Sequence, residues 1–377
     1  MSFPSRRGLP AAAPCAWIVM FAAAGCSLTP DGANALPQRM VFLGDSITDG
    51  FTYPLLFRQS LTDAGRTAPT CINAGVASDT AADMLRRLDR DVLPHRPGLV
   101  AVSAGINDVL RNVSRKDYAA NMRAILERMK REKVDVLILT TTVLGPKHAA
   151  ASKRLEGYNA TLRRFAKEFG HPLAEVNGAM HAAKAKGPKL LEADNVHLAY
   201  EGYRVMTRAV LDGLGCRDVP VPKTMRVEPL DGLITAWKLK AVKGGKALDE
   251  KAVAAIRPDE TWKPLALPET DPQTHWWANQ VRKQGYALSV AKVAGKAKRY
   301  VGFATISAKG RKRAYFNTGA QLEAIWLNGK LLWRSKGWTG YHAGKERLAA
   351  SLKAGSNTVV IETGGQFFLS VTDSNQW

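Results

Sequence analysis

Acidic residues and cysteine are in short supply in this 377-residue chain. Its 33 Asp and Glu face 54 Lys and Arg, which gives a formal net charge of +21 and a pI near 9.9. That surplus alone suits a nucleic acid, an anionic membrane surface or an acidic polymer as partner. No nucleic-acid-binding motif accompanies it, so nucleic acid drops out. Four Cys without a C-x-x-C pair exclude a disulfide-dense scaffold and a zinc ribbon. The 7 His lack H-x-H or H-E-x-x-H spacing, so neither a metal nor a cofactor is expected. Hydrophobic residues at 46% and charged residues at 23% are ordinary globular proportions and exclude wholesale disorder. At roughly 150 residues per domain, the length fits two domains.

Arg6-Arg7 precede an apolar stretch from about Ala11 to Gly25. It is too short, and too interrupted by Pro10 and Pro14, to span a bilayer, and it reads as a secretory signal. Two exits are visible. Ala23-Ala24-Gly25-Cys26 resembles a bacterial lipoprotein box and makes Cys26 a lipidation candidate, with a membrane tether as the consequence. Ala33-Asn34-Ala35 is an A-x-A site for ordinary cleavage. Either exit places Cys71 and Cys216 in an exported chain, where a bridge and a pair of buried free thiols are equally open readings.

From Arg39 to about Val221, short β-rich runs alternate with helical patterns. The runs are Met40–Leu43, Thr70–Asn73, Leu99–Ser103, Val134–Leu139 and Leu173–Val176, with amphipathic stretches near 53–65, 79–93, 115–132, 150–169 and 199–214. Met122, Ile125, Leu126 and Met129 repeat at helical spacing. Five apolar strands alternating with helices predict a mostly parallel, doubly covered α/β sheet, whose working residues gather at the carboxyl ends of strands. Pro220-Val221-Pro222 ends the alternation. The expected division is 1–37 leader and tether, 38–222 catalytic domain, and 223–377 an all-β sandwich domain.

Four blocks near strand ends carry chemistry: Gly44-Asp45-Ser46, Asn73-Ala74-Gly75, Gly105-Ile106-Asn107-Asp108 and Asp194-Asn195-Val196-His197. Acyl transfer needs a nucleophile, a base, a group that orients the base, and donors for the oxyanion. Ser46 fits the nucleophile and His197 the base, and Asp194 reaches back one turn to fix the imidazole. The N–H groups of Ser46 and Gly75 and the Asn107 amide fit the oxyanion hole, with Gly75 bare so that substrate can approach. Asp45 and Asp49 read as turn and cap residues, and Asp108 as a brace for its own loop. A G-x-S-x-G elbow is absent, which argues against the α/β-hydrolase pattern.

In these four ordered blocks the chain resembles the SGNH/GDSL hydrolases over roughly residues 38–216. The resemblance implies a flavodoxin-like α/β/α sandwich with a five-stranded parallel sheet, and metal-free ester hydrolysis through Ser46, Gly75, Asn107 and His197. Two positions depart from the pattern. Ser78 replaces a common Gly and reads as a helix N-cap. Asn195 replaces a Gly within D-G-x-H, at a turn whose left-handed geometry Asn tolerates.

Beyond Pro222 lie eight of the nine Trp. Ala324–Leu327, Asn328-Gly329 and Lys330–Trp333 read as a hairpin with a type I′ turn, Thr358–Ile361 as a strand, and Phe367–Val371 as a closing strand. Residues 239–260, rich in Lys and Ala, read as an insertion or a mobile loop. This half resembles the galactose-binding-like jelly rolls attached to glycoside hydrolases, in which Trp276-Trp277, Trp333 and Trp338 are candidate sugar platforms. The expected function is an exported serine esterase that removes acyl groups, chiefly acetyl, from a small molecule or polysaccharide. A lysophospholipase or thioesterase is the alternative, and a non-catalytic carbohydrate-binding protein is the reading from another class. Residues 226–377 carry 24 basic and 12 acidic residues, so much of the charge surplus sits in the β half.

Overall fold

The computed structural model describes residues 36–187, 189–226, 231–242, 247–265, 288–335 and 346–373. The leader with Cys26 and the A-x-A site, and Trp276, Trp277 and Trp338, lie outside the described residues. The first part of the chain builds β1 (Arg39–Gly44), α1 (Ser46–Asp49), α2 (Thr52–Asp63), β2 (Thr70–Gly75), α3 (Ala81–Arg86), α4 (Leu88–Asp91), β3 (Leu99–Ser103), α5 (Ile106–Leu110) and α6 (Arg115–Arg131). It continues through β4 (Asp135–Leu139), α7 (Ala149–Phe169), β5 (Leu173–Ala174), α8 (Val176–Lys184) and α9 (Tyr200–Gly213). The five strands are parallel in the order β2-β1-β3-β4-β5.

Side-chain alternation divides this sheet into two buried faces. Val41, Leu43, Val100, Val102, Val136 and Ile138 pack against Met84 and Leu88, against Met122, Ile125, Leu126 and Met129 of α6, and against Leu162 and Phe165 of α7. On the other face, Phe42, Ala101, Leu137 and Leu139 meet Leu56, Phe57 and Leu61 of α2, Met180 of α8, and Met206 and Val210 of α9. Because both faces are covered, the strands read as unbroken apolar runs. Ser114 caps α6 by accepting the Asp117 N–H at 3.0 Å, and Gly170 at φ 68 ends α7.

Two expectations change here. Strand five stops at Ala174, because Val176 begins α8, a helix whose Ala, Gly and Asn content hides its period. Ser78 is not a cap. It sits in the left-handed region at φ 72, while Thr80 and Asp83 form the capping box of α3.

The second part is an antiparallel sheet of eight strands. They are β6 (Trp237–Ala241), β7 (Lys263–Leu265), β8 (Leu288–Ser289), β9 (Tyr300–Ala308), β10 (Lys312–Leu327), β11 (Lys330–Arg334), β12 (Glu346–Leu352) and β13 (Gly355–Thr372). Asn328 and Gly329 take φ 52 and 84, the two left-handed positions of a type I′ hairpin turn between β10 and β11. Phe367–Val371 is strand, as the sequence suggests. It is the far half of β13, which pairs with β9 through its first half and with β8 through Gln366 and Phe367. The β10–β13 register shifts between Ala320 and Ala324, which bends the pair. Within residues 239–260 lie the end of β6 and a helix at Glu250–Ala254, and Val253 is buried. Trp237 and Trp326 fill core, and Trp333 is half-buried against it.

Candidate active site

Strand order reverses between β1, which continues to β2 on one side, and β3 on the other. In open α/β sheets the crevice at such a reversal, beyond the strand carboxyl ends, is where ligands bind. Ser46 follows β1 at that point and opens α1. Asp45 sets its position as N-cap, accepting the Ile47 N–H at 3.0 Å. Gly75 ends β2 in register with Gly44, and Asn107 lies in the first turn of α5 after β3.

The acid–base loop comes from elsewhere in the chain, just before α9. Ser46 Oγ is 2.8 Å from His197 Nε2, and His197 Nδ1 is 2.5 Å from Asp194 Oδ2. The other Asp194 oxygen accepts the N–H groups of Val196 and His197, both at 3.0 Å. Burial pushes the Asp194 carboxyl up, but the His197 side chain and those two N–H groups outweigh it and hold it below the usual range. Asn195 takes φ 65, so the turn of the D-x-x-H loop is left-handed as expected. The loop after β4 ties it down: Gly145 N–H donates to Asn195 O at 2.9 Å and Lys147 Nζ to Ala193 O at 2.8 Å. His148 Nε2 lies 3.2 Å from Asp194 O.

The groups expected to face an oxyanion are more constrained than the spacing implies. Asn107 Nδ2 donates to Asp79 O at 3.0 Å and lies 3.5 Å from Asp45 Oδ2. The Gly75 N–H donates to Asn73 Oδ1 at 2.9 Å, while Asn73 Nδ2 holds Asp49 O at 2.9 Å. A Cβ on Gly75 would collide with the backbone of Thr48 and Asp49. Gly75 is therefore bare so that α1 can lie on β2, which corrects the expectation that its bareness serves substrate approach.

A buried polar layer lies beneath these residues. Asp45 is 3% exposed, and burial, with Asp108 and Asp79 adding, raises its carboxyl to about 7 against the pull of the Ile47 N–H. Asp108 is fully buried and rises to about 6, again chiefly through burial. It accepts the Ala81 N–H with both oxygens, at 3.1 and 3.2 Å, and its own backbone N–H also favours the carboxylate, so it braces the start of α3 as well as its own loop. Arg87, which the sequence did not single out, is 6% exposed and crosses this layer. It donates to Gly44 O at 3.0 Å, Asp79 Oδ2 at 2.5 Å and Asp91 Oδ2 at 3.2 Å. It thereby joins the backbone before Ser46 to the residue that holds Asn107. Inside the 79–93 helical pattern it resembles any surface Arg, so only the fold reveals it. Cys71 and Cys216 are free thiols. Among the described residues no group of three or more His, Cys, Asp and Glu is placed to hold a metal ion.

A doubly wound α/β layer with a Ser–His–Asp chain at its topological switch point defines a serine-hydrolase type of scaffold. Residues 42–205 match the GDSL-like Lipase/Acylhydrolase family, and this part of the chain is a GDSL-like, or SGNH, acylhydrolase domain of the esterase class. The chain is similar to an acetylxylan esterase of Geobacillus stearothermophilus, 23% identical over 206 residues that make 47% of this chain and 94% of the relative. It is also similar to the thioesterase 1/protease 1/lysophospholipase L1 of Escherichia coli K12, 27% identical over 170 residues, 43% of this chain and 76% of the relative. Among solved structures, an alpha/beta hydrolase enzyme from the metagenome of Lake Arreo, Spain, is 26% identical with a TM-score of 0.44, covering 48% of this chain and 97% of that one.

Proposed function

We propose that this acylhydrolase cleaves short acyl esters, chiefly acetyl, on carbohydrate through an acyl-enzyme on Ser46. The observation that carries the mechanism is the continuous chain Ser46 Oγ, His197 imidazole, Asp194 carboxylate at 2.8 and 2.5 Å. His197 Nε2 takes the hydroxyl proton as Ser46 Oγ attacks the acyl carbonyl carbon. Asp194 fixes the imidazole orientation and stabilises the imidazolium that forms. The Ser46 N–H and the Asn107 amide meet the oxyanion, and the Gly75 N–H joins them by sharing or releasing Asn73 Oδ1. His197 then returns the proton to the leaving alkoxide as the tetrahedral species collapses to the acyl-enzyme. A water, deprotonated by the same imidazole, attacks the ester, and the serine hydroxyl is restored as the acid leaves.

Carbohydrate as the alcohol component is supported by the similarity to the acetylxylan esterase and by the appended β sheet. Longer acyl chains are the second reading, supported by the similarity to the thioesterase/lysophospholipase. A panel of acetylated xylan, aryl esters of rising chain length and lysophospholipid separates the two. Turnover confined to long chains would end the carbohydrate reading. Ser46→Ala should lose at least about a thousandfold in kcat; an active variant would sink the mechanism.

The same proposal places residues 38–222 and 223–377 in separate domains, catalytic and accessory. It also reads residues 1–37 as an export leader, with Cys26 lipidated or cleavage after Ala35. Mass spectrometry of the mature N-terminus decides between those exits. Among the described residues no helix is long and apolar enough to cross a membrane.

A further inference from the structure

A cavity of about 470 Å³ opens between the turn after α5 and the first turns of α7, lined by Asn112, Ser114, Arg115, Lys153, Arg154 and Tyr158 among others. Three lining residues are cationic and none is acidic. Arg154 is fixed in place: Nη2 donates to Val109 O at 3.0 Å and Asn112 Oδ1 at 2.7 Å, and Nη1 to Ala150 O at 3.3 Å. None of those partners is a carboxylate, so they orient the guanidinium without neutralising it.

Arg115 is accommodated by an absence on the facing helix. A Cβ at Gly157 would come within 2.6 Å of Arg115 Cδ and within 2.9 Å of its Nη1. Glycine inside a helix is destabilising relative to alanine, and here the missing side chain is what lets Arg115 lie across α7. Among the described residues neither Arg115 nor Lys153 has an ion pair. Of the neighbouring acids, Glu156 pairs with Arg163, and Asp117 accepts the hydroxyl of Ser114 at the cavity edge. Three cationic side chains and no carboxylate line the cavity itself, a lining that favours an anion.

The position ties the cavity to the reacting centre. Val109, the anchor of Arg154, is two residues beyond Asn107 on α5, roughly 3 Å along the helix axis. A guanidinium fork matches a carboxylate in a bidentate pair, and a lysine adds a point charge. We propose that this cavity is a subsite for a carboxylate carried by the substrate, an acidic sugar unit beside the esterified one. The proposal rests on the carbohydrate-ester reading and gives it a substrate class, uronic-acid-bearing glycan.

The test compares kcat/KM of the full chain on acetylated xylo-oligosaccharides with and without a uronic-acid branch, for wild type and for Arg115→Gln/Lys153→Gln. The expected result is a loss of about tenfold or more on the acidic oligosaccharide, no change on the neutral one, and loss of the salt dependence that wild type shows on the acidic one. Both side chains are solvent-exposed, so an unchanged melting temperature accompanies that result. An equal loss on both oligosaccharides, or none on either, overturns the subsite while leaving the ester reading standing. Lysophospholipid serves as a third substrate, and a loss seen there alone overturns the uronic-acid assignment in favour of a phosphate. Wild type that releases acetate from neither oligosaccharide fails the parent reading instead.

Discussion

Replacing Asp45 with Asn should make the acylhydrolase domain more stable, and increasingly so as pH rises. The wild-type carboxyl is 3% exposed and is held at about 7, against an ordinary value of 3.8, mainly by burial. Between those two values the native state keeps a proton that the unfolded chain has already released. Native stability therefore falls as pH climbs through the window from about 4 to 7, and below it the penalty vanishes. A gap of about three pH units corresponds to ~4 kcal/mol as a ceiling. Asp108, raised to about 6 in the same layer, titrates alongside and draws part of that effect. About 2 kcal/mol is a fair expectation for Asp45 alone.

Asn cannot ionise, and its carbonyl oxygen can still accept the Ile47 N–H that Asp45 accepts at 3.0 Å. The variant keeps the helix cap and escapes the pH penalty. At 2–4 °C per kcal/mol for a unit of roughly this size, Asp45→Asn should melt about 4–8 °C higher than wild type at pH 8, relative to their difference at pH 4.5. Thermal melts of both proteins in half-unit pH steps give the two curves. Parallel curves would mean that the native carboxyl ionises normally, and the argument from burial would be refuted.

Gly75→Ala should lower both stability and kcat, because its Cβ collides with the Thr48–Asp49 backbone and must displace α1 with Ser46; a melt and an aryl-acetate assay report the two losses, and an active, stable variant contradicts the packing argument. Arg87→Met should cost about 3 kcal/mol by leaving Asp79 and Asp91 short of a buried partner. It should also reduce kcat more than KM through Asn107, measured by denaturant melts and steady-state kinetics. Arg347→Ala should let His95 gain a proton at higher pH. Burial, aided by the Arg347 guanidinium, now depresses that imidazole to about 3, and its ring-proton shifts in NMR follow the change.

Much of the α/β half was legible because a parallel sheet buried on both faces needs apolar runs, and Leu99–Ser103 and Val136–Leu139 have nothing else to be. The triad was legible for another reason: D-x-x-H is local, so one turn suffices to bring Asp194 to His197. Signals that depend on long-range packing were not readable. Arg87 differs from an exposed helical Arg only in what the fold places around it. Gly364 and Gly365 join the runs Thr358–Ile361 and Phe367–Val371 into one strand, β13, and at Gly365 a side chain would strike Gln321 Oε1. At Gly75 the missing Cβ is crowded by the Thr48–Asp49 backbone, and the sequence cannot say which side of a missing Cβ is crowded.

The geometry distributes the site unequally between rigid and soft parts. Ser46, Gly75 and Asn107 are mounted at the carboxyl ends of β1, β2 and β3, three strands adjacent in the sheet, and the buried Arg87 ties two of their segments together. Asp194 and His197 ride on a loop outside the parallel sheet, closed at its base by the Leu191–Leu198 bridge, and the Asp194 side chain is 43% exposed. Their registration with Ser46 depends on hydrogen bonds from Gly145 and Lys147 and on the two N–H groups that Asp194 itself collects. Ser46, Gly75 and Asn107 are thus positioned by the core, and His197 by its own loop. A perturbation of the core should act on attack and oxyanion binding together. A perturbation of the 145–148 loop should act on proton transfer while leaving Ser46 in place.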